Sequence, residues 1–305
     1  VDLVNLKKNN INHIDLLEQF SYYGLVKKFN LDFYCNAFGI TSPKTDIENG
    51  METKNMFEAG KYKEIVFSVT SSGISGIGNI SDYAFSNDEN KILIATDKTF
   101  IYRHSSEARY YVYDRIKKRA EPLLKEGKQQ LATFSPDGNA VAFVLKNNLY
   151  IKNLNTGEVK AITTDGSVNN IINGAPDWVY EEEFGFSKAF CWSPDSRRIA
   201  FYRFDESDVK LYEIATYESL YPQTYRYKYP KAGENNSVVT IHIADLLTNK
   251  TITASTGNET DQYIPRIKWT MNPEKLCIVR LNRRQNKVDI LLTEAATGKS
   301  DVIFT

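Results

Sequence analysis

The hydrophobic pattern of the first 60 residues differs from that of the rest of the chain. In the string INHIDLLEQFSYYGLVKKFN apolar residues recur at a spacing of three to four, at Ile14, Leu16, Leu17, Phe20, Tyr23, Leu25 and Val26. This spacing is typical of amphipathic helices, and the string LDFYCNAFGI continues it up to a Ser-Pro turn. We therefore predict two or three short helices in a leader of uncertain origin covering residues 1–60.

From about residue 62 the apolar residues fall into short runs that alternate with turn residues. Turn clusters such as SNDEN, SPDGN and NTGE separate the runs, as expected for consecutive β-strands. Helical spacing nearly disappears, so the fold class predicted for residues 61–305 is mainly β. The predicted strands are EIVFSV, KILIAT, YYVYD, AVAFV, LYIKNL, RIAFYRF, VVTIHIADL, LCIVRL and VDILLTE.

One sequence motif recurs along this β region: an aromatic residue, a hydroxyl residue and a polar or proline turn, followed by an apolar strand. It begins at Phe85, Phe134, Trp192 and Trp269, at intervals of 49, 58 and 77 residues. Units of about 40 to 50 residues with several short strands are typical of β-propeller blades. We predict that the Ser or Thr and the Asp tie the turn, that the aromatic ring faces the next blade, and that the longer intervals contain insertions. A β-sandwich gives no reason for the repeat.

The composition of the chain mainly excludes classes of function and partner. The chain has 305 residues with 38 basic and 38 acidic side chains, so no overall field favours nucleic acid or an acidic membrane surface. No apolar run is long enough to span a bilayer, and the first residues lack the pattern of a signal peptide. The three cysteines form no C-x-x-C pair and are predicted to be small buried hydrophobic residues.

A search for catalytic motifs finds none. The string GISGIG at residues 73–78 fails the G-x-S-x-G pattern of a nucleophilic serine, because Ile77 stands where the last glycine is needed. The three histidines have no zinc-binding spacing, and no phosphate-binding glycine loop is present. We therefore predict no catalytic residue, no metal and no cofactor in this chain.

The string DWVYEEEFGF at residues 177–186 gathers negative charge between aromatic rings. In a short helix starting near Asp177, successive side chains fan out by about 100°, so Glu182 and Glu183 could project together while the rings pack beneath. Two adjacent carboxylates are tolerated best with a cation between them, and an ammonium group would fit. A solvated charged face is the alternative.

Several longer strings carry a family resemblance. DWVYEEE at 177–183, YRHSSEARYYVYD at 102–114, CWSPDSRRIAFYRFDESDV at 191–209, ESLYPQTYRYKYPKAGENN at 218–236 and IKWTMNPEKLCIVRLNRRQN at 267–286 resemble the N-terminal propeller of the dipeptidyl peptidase IV family, the dipeptidyl aminopeptidase branch of the prolyl oligopeptidases. The resemblance covers residues from about 66 to 305. It implies a propeller of about eight blades that caps an α/β-hydrolase domain.

The resemblance also implies a function and a site. Such enzymes are serine exopeptidases that release N-terminal dipeptides, typically X-Pro or X-Ala. Glu182 and Glu183 would bind the α-ammonium group of the substrate, and Arg103 would bind the carbonyl group of its second residue. Glu181 is a further candidate, with a structural role as the alternative. Trp178 and Tyr180 would pack beneath the helix, and His104 would point away from Arg103.

The partners and the location also follow from the resemblance. Peptides with a free N-terminus, the hydrolase domain and a second copy of the full-length form are the expected partners, without nucleic acid or a membrane span. The expected location is periplasmic or secreted. A non-catalytic propeller that binds peptides or proteins is the alternative function.

The chain departs from the family at both ends. It stops at the string DVIFT before the remaining blades and the hydrolase domain, so we expect a truncated propeller that is inactive alone. The string from His13 to Gly50 resembles the helical C-terminal part of a DEDD-type 3′–5′ exonuclease, but it has no D-x-E pair of metal-binding carboxylates. No nuclease activity is expected.

Overall fold

The computed structural model describes Phe67, residues 79–217 and residues 219–305. The helices predicted for residues 1–60, the boundary near residue 60 and, apart from Phe67, the strand string EIVFSV lie outside this range. The described part is built almost entirely of β-strands, and all of its strand pairs are antiparallel.

Most of the strands form four sheets, each of which is a blade. The first two blades and the last are four-stranded meanders with neighbours in chain order. This arrangement confirms the predicted β-propeller architecture. The first blade contains β1 (Ile80–Phe85), β2 (Lys91–Phe100), β3 (Ser106–Asp114) and β4 (Arg119–Pro122); the second contains β5 (Gln130–Phe134), β6 (Ala140–Leu145), β7 (Asn148–Asn153) and β8 (Val159–Ala161); the fourth contains β16 (Gln262–Trp269), β17 (Lys275–Asn282), β18 (Val288–Glu294) and β19 (Ser300–Phe304).

The third blade carries two insertions. Its first strand is split into β9 (Ile171–Asn173) and β10 (Phe190–Trp192), which both pair with β11 (Arg198–Asp205), and the helix α1 (Trp178–Phe184) lies between them in sequence. After β11 the chain forms a separate hairpin of β12 (Leu211–Thr216) and β13 (Gln223–Lys228) and returns as β14 (Val238–Asp245) and β15 (Lys250–Thr253). These insertions account for the long intervals in the repeat.

The repeated turn has the same geometry in successive blades. The Ser135 hydroxyl hydrogen-bonds the Asp137 carboxylate and accepts the Ala140 N–H at 2.9 Å, and the Ser193 hydroxyl does the same with Asp195 and the Arg198 N–H at 2.8 Å. In the first blade the hydrogen bond from Ser86, with those from Asn90, lowers the pKa of Asp88 to about 2. The predicted Ser–Asp tie is confirmed.

The two tryptophans of the repeat face the opposite way from the prediction. The Trp192 indole N–H donates to the Thr133 carbonyl at 3.4 Å, and that of Trp269 donates to the Cys191 carbonyl at 3.1 Å. Both acceptors lie in the preceding blade. For these two tryptophans the prediction that the ring faces the next blade is therefore wrong, because an indole N–H shielded from solvent needs an acceptor and a strand of the preceding blade supplies it.

The core lies between the blades and beneath α1. It is formed mainly by the second strands of the blades, in which runs of consecutive residues are buried on both faces of the sheet. Phe143, Phe201, Phe204 and Ile241 are among its largest fully buried side chains.

Candidate functional site

Helix α1 begins at a buried aspartate. The Asp177 carboxylate accepts the Tyr180 N–H at 2.9 Å as the N-cap, and its second oxygen accepts the Ser237 hydroxyl at 2.5 Å. Burial raises the pKa of Asp177, and these hydrogen bonds oppose the rise. The helix ends at Gly185, whose φ of +66° lies in the left-handed region that favours glycine. Helix α1 thus has a defined start and end, with its first turn tied to the segment before β14.

Aromatic packing holds the inner face of the helix. Tyr180 is buried, its ring lies 4.9 Å from that of Phe204, and its hydroxyl accepts the Ile264 N–H at 2.9 Å. The Trp178 ring lies 4.4 Å from that of Tyr229. Tyr180 and Trp178 therefore pack where the sequence predicted, and together they join the helix to the core and to the segment after the hairpin.

The three glutamates face different surroundings. Glu181 is 0% exposed, Glu182 is half-buried and Glu183 is exposed. A rotation of about 100° per residue explains the gradient, since Tyr180 and Glu181 share the inner face and the next two residues turn outward. Glu182 and Glu183 are the two carboxylates available at the surface, as the helical interpretation predicted.

Arg103 reaches the helix from the first blade. It lies in the loop between β2 and β3, and its Nε atom is 3.6 Å from the Glu182 Oε2 atom. The Arg103 side chain is 73% exposed and that of Glu182 is 16% exposed. Such an exposed ion pair is worth at most about 1 kcal/mol, so a ligand could separate it at little cost. We call Glu182, Glu183 and Arg103 the amine site, after the ammonium group that these residues are expected from the sequence to bind.

A second link joins the same loop to the helix. The Glu181 Oε1 atom accepts the His104 N–H at 2.7 Å and the Ser105 N–H at 2.9 Å. Its Oε2 atom is buried and has no hydrogen-bond partner among the described residues. Glu181, which the sequence offered as a further substrate ligand, is therefore placed beneath the surface and bonded to backbone.

His104 lies on another side of the loop from the amine site. It lines a cavity of about 330 Å³ together with Asp82, Lys98 and Lys188, and Arg103 and the glutamates do not line this cavity. The prediction that His104 points away from Arg103 agrees with this position.

Sequence reasoning missed one ionisable group beneath the helix. Glu206, which follows β11 directly, is 5% exposed. Burial, with the charge of Asp177 as the next contribution, raises the pKa of Glu206 from 4.5 to about 7, while Lys228 opposes the rise. A single glutamate in a turn carries no signal of burial, so only the packing around it could reveal this group.

No group of three or more His, Cys, Asp or Glu side chains in the described part of the chain is arranged to hold a metal ion. None of the helices described is both long enough and apolar enough to cross a membrane.

Comparison with known proteins agrees with this architecture. Residues 86–305 match the family model described as the dipeptidyl peptidase IV N-terminal region. A probable dipeptidyl-aminopeptidase B of Chaetomium globosum is 32% identical over 246 residues, which are 74% of this chain and 26% of that protein. A dipeptidyl peptidase 4 of Trichophyton rubrum is 36% identical over 234 residues, 73% of this chain and 30% of that protein.

Solved structures give the same result. The crystal structure of Porphyromonas gingivalis dipeptidyl peptidase 4 superposes with a TM-score of 0.76 at 41% identity, covering 80% of this chain and 35% of that one. A putative dipeptidyl aminopeptidase IV from Bacteroides ovatus gives 0.54 at 26% identity, covering 68% of this chain and 29% of that one. The chain thus spans about a quarter to a third of the length of these relatives. The exonuclease resemblance of residues 1–60 receives no support from them.

Proposed function

The chain belongs to the family of dipeptidyl peptidase IV N-terminal regions, and from this membership we propose that it is the substrate-recognition propeller of a serine exopeptidase that releases N-terminal dipeptides. The proposed substrates are peptides with a free N-terminus, typically with Pro or Ala at the second position. The proposed partners are the α/β-hydrolase domain of the full-length protein, which would supply the catalytic residues, and a second copy of that protein.

The proposal rests on the contact between Arg103 and Glu182, whose Nε and Oε2 atoms are 3.6 Å apart, beside the exposed Glu183. Two carboxylates and a guanidinium on one surface complement the positively charged ammonium group and the carbonyl groups at the N-terminus of a peptide. The α-ammonium group would lie between the carboxylates, and the carbonyl of the second residue would accept a hydrogen bond from Arg103.

This arrangement would also fix the length of the fragment released from the peptide. An ammonium group held at a fixed point places the bond after the second residue at a fixed distance from it, where the hydrolase domain would cut. A peptide with an acetylated N-terminus has no positive charge to offset the carboxylates, and it would be rejected. The amine site would therefore select both the free terminus and the dipeptide length.

The test is kinetic and uses the full-length protein that carries this region. Glu182→Gln and Glu183→Gln keep the size of the side chain and remove its charge. Once a bound peptide and the hydrolase domain exclude water from the site, loss of one charged partner would cost about 2 to 5 kcal/mol, so we expect kcat/KM on an Ala-Pro anilide to fall at least about 30-fold. Glu213→Gln, on the exposed hairpin, is the matched control and should leave kcat/KM unchanged.

The outcomes separate the two candidate functions. Wild-type kcat/KM in both variants would show that the ammonium group binds elsewhere. A full-length protein that binds peptides through this surface without cleaving them would favour the alternative, a non-catalytic propeller.

A further inference from the structure

We propose that Glu181 is a positioning residue that holds the Arg103 loop against helix α1 and thereby sets the place of Arg103 relative to Glu182 and Glu183. The inference rests on the proposed function, because it assigns to Glu181 a role in the same amine site. It gives the three consecutive glutamates two different tasks.

The contacts of Glu181 join two distant parts of the chain. Its Oε1 atom accepts the N–H groups of His104 and Ser105, which precede it by 77 and 76 residues. These residues lie in the loop between β2 and β3 of the first blade, whereas α1 is inserted in the third blade. One carboxylate oxygen therefore connects the two blades that supply the amine site.

Among the hydrogen bonds and ion pairs of the described residues, only those of Glu181 and Glu182 join this loop to α1, while the Tyr102 ring packs near the Tyr227 ring of the hairpin, with centroids 6.0 Å apart. Within the loop, the Ile101 N–H donates to the Ser105 carbonyl at 2.9 Å and the Tyr102 N–H donates to the Ser105 hydroxyl at 3.2 Å. These bonds shape the loop but do not reach α1. The Arg103 side chain is 73% exposed, and its contact with Glu182 is too weak to hold the loop in place. The two bonds to Glu181 are charge-assisted and come directly from the backbone beside Arg103.

The burial of Glu181 argues against direct contact with a substrate. The residue is 0% exposed, and its Oε2 atom, which has no hydrogen-bond partner among the described residues, is buried as well. Burying a carboxylate costs free energy unless its oxygens are hydrogen-bonded. The two hydrogen bonds accepted by Oε1 offset this cost for Glu181. An ammonium group on the surface side of α1 would meet Glu182 and Glu183 first.

Two conservative variants distinguish positioning from charge. Glu181→Gln keeps the acceptor oxygen at the same reach and removes the charge, whereas Glu181→Asp keeps the charge and withdraws the oxygens by one methylene. A positioning residue tolerates Gln better than Asp. A residue that binds the ammonium group by its charge tolerates Asp better than Gln.

The experiment measures kcat/KM of the full-length protein on an Ala-Pro anilide. We expect Glu181→Gln to stay within about threefold of wild type, since it keeps an acceptor oxygen for both N–H groups, and Glu181→Asp and Glu181→Ala to lose tenfold to about 100-fold, as misplacements of about 1 Å do. In an Arg103→Ala background, Glu181→Ala should add little further loss, because its effect acts through Arg103.

A structural readout accompanies the kinetics. Amide hydrogen exchange at His104 and Ser105 should accelerate in Glu181→Asp and remain near wild type in Glu181→Gln, since only the former withdraws the acceptor. This measurement depends on the loop alone and needs no catalytic activity.

Four results would overturn the inference: wild-type activity in Glu181→Ala, a larger loss in Glu181→Gln than in Glu181→Asp, full additivity of Glu181→Ala with Arg103→Ala, or unchanged exchange at both amides in Glu181→Asp. Failure of the proposed function has a different signature. There, Glu182→Gln, Glu183→Gln and Arg103→Ala would all keep wild-type kcat/KM, and the exchange data would still decide whether Glu181 holds the loop.

Discussion

Adjacent residues of one type can have separate roles when a helix turns them into different surroundings. Glu181 binds backbone beneath α1, whereas Glu182 and Glu183 face outward at the amine site. The sequence predicted the outward pair, because a rotation of about 100° per residue is a local property of a helix. It could not predict the partners of Glu181, which lie 76 and 77 residues earlier and meet it only in the folded chain.

The buried Glu206 makes stability depend on pH. Its pKa is raised from 4.5 to about 7, so the protonated form is favoured in the folded state. The stability linked to this proton is fully present below about pH 4.5 and is lost as the pH rises through about 7. The surrounding groups Asp177 and Asp205 raise this pKa, and Lys228 lowers it.

We therefore expect Glu206→Gln to be more stable than wild type at pH 8 by about 3 kcal/mol or less, and nearly equal to it at pH 4.5, because a tenfold change in proton affinity is worth about 1.4 kcal/mol. Urea unfolding of the chain at both pH values measures the difference, with the exposed Glu213→Gln as control. A variant that is less stable than wild type at pH 8 would contradict the assignment.

At the scale of elements, an inserted helix interrupts the first strand of the third blade. Both halves, β9 and β10, still pair with β11, so the blade keeps its sheet while α1 projects between them. The N-cap at Asp177 and the left-handed Gly185 fix the length of the insertion. The two glutamates of the amine site thus lie on a short helix that follows one strand of the sheet, β9, and precedes another, β10.

The sequence predicted central strands well and edge elements poorly. β6 and β11 are buried over most of their length and β2 over residues 92–96, and all three contain apolar runs. β1 is exposed throughout, and β9 and β10 have three residues each. Neither their length nor their hydrophobic pattern therefore identifies these segments as strands. The hairpin of β12 and β13 was missed because its residues are mostly exposed and polar positions interrupt its tyrosines.

The repeated turn gives a test at this scale. Ser193→Ala removes the hydroxyl that accepts the Arg198 N–H at 2.8 Å and leaves that N–H unsatisfied in a buried turn. Leaving a buried donor without a partner costs about 1 to 3 kcal/mol, so the free energy of unfolding should fall by that amount in urea titrations. The exposed Ser255→Ala is the control. Equal stability of the two variants would mean that the turn serine does not stabilise the blade.

At the scale of the whole molecule, the amine site depends on how blades are arranged around one another. Arg103 comes from the first blade and the glutamates from the third, and no local pattern indicates that these loops meet. Only the family resemblance brought Arg103 and the glutamates together at the sequence level, because the closure of a propeller is a property of all its blades.

The proposed function depends on Glu182 and Glu183 binding the free N-terminus of a peptide. A crystal structure of the full-length protein with a bound dipeptide tests it most directly. We expect the α-ammonium nitrogen to lie within about 2.7–3.2 Å of a carboxylate oxygen of each of the two glutamates, with the carbonyl of the second residue at Arg103. A dipeptide bound with its ammonium group away from both carboxylates would contradict it.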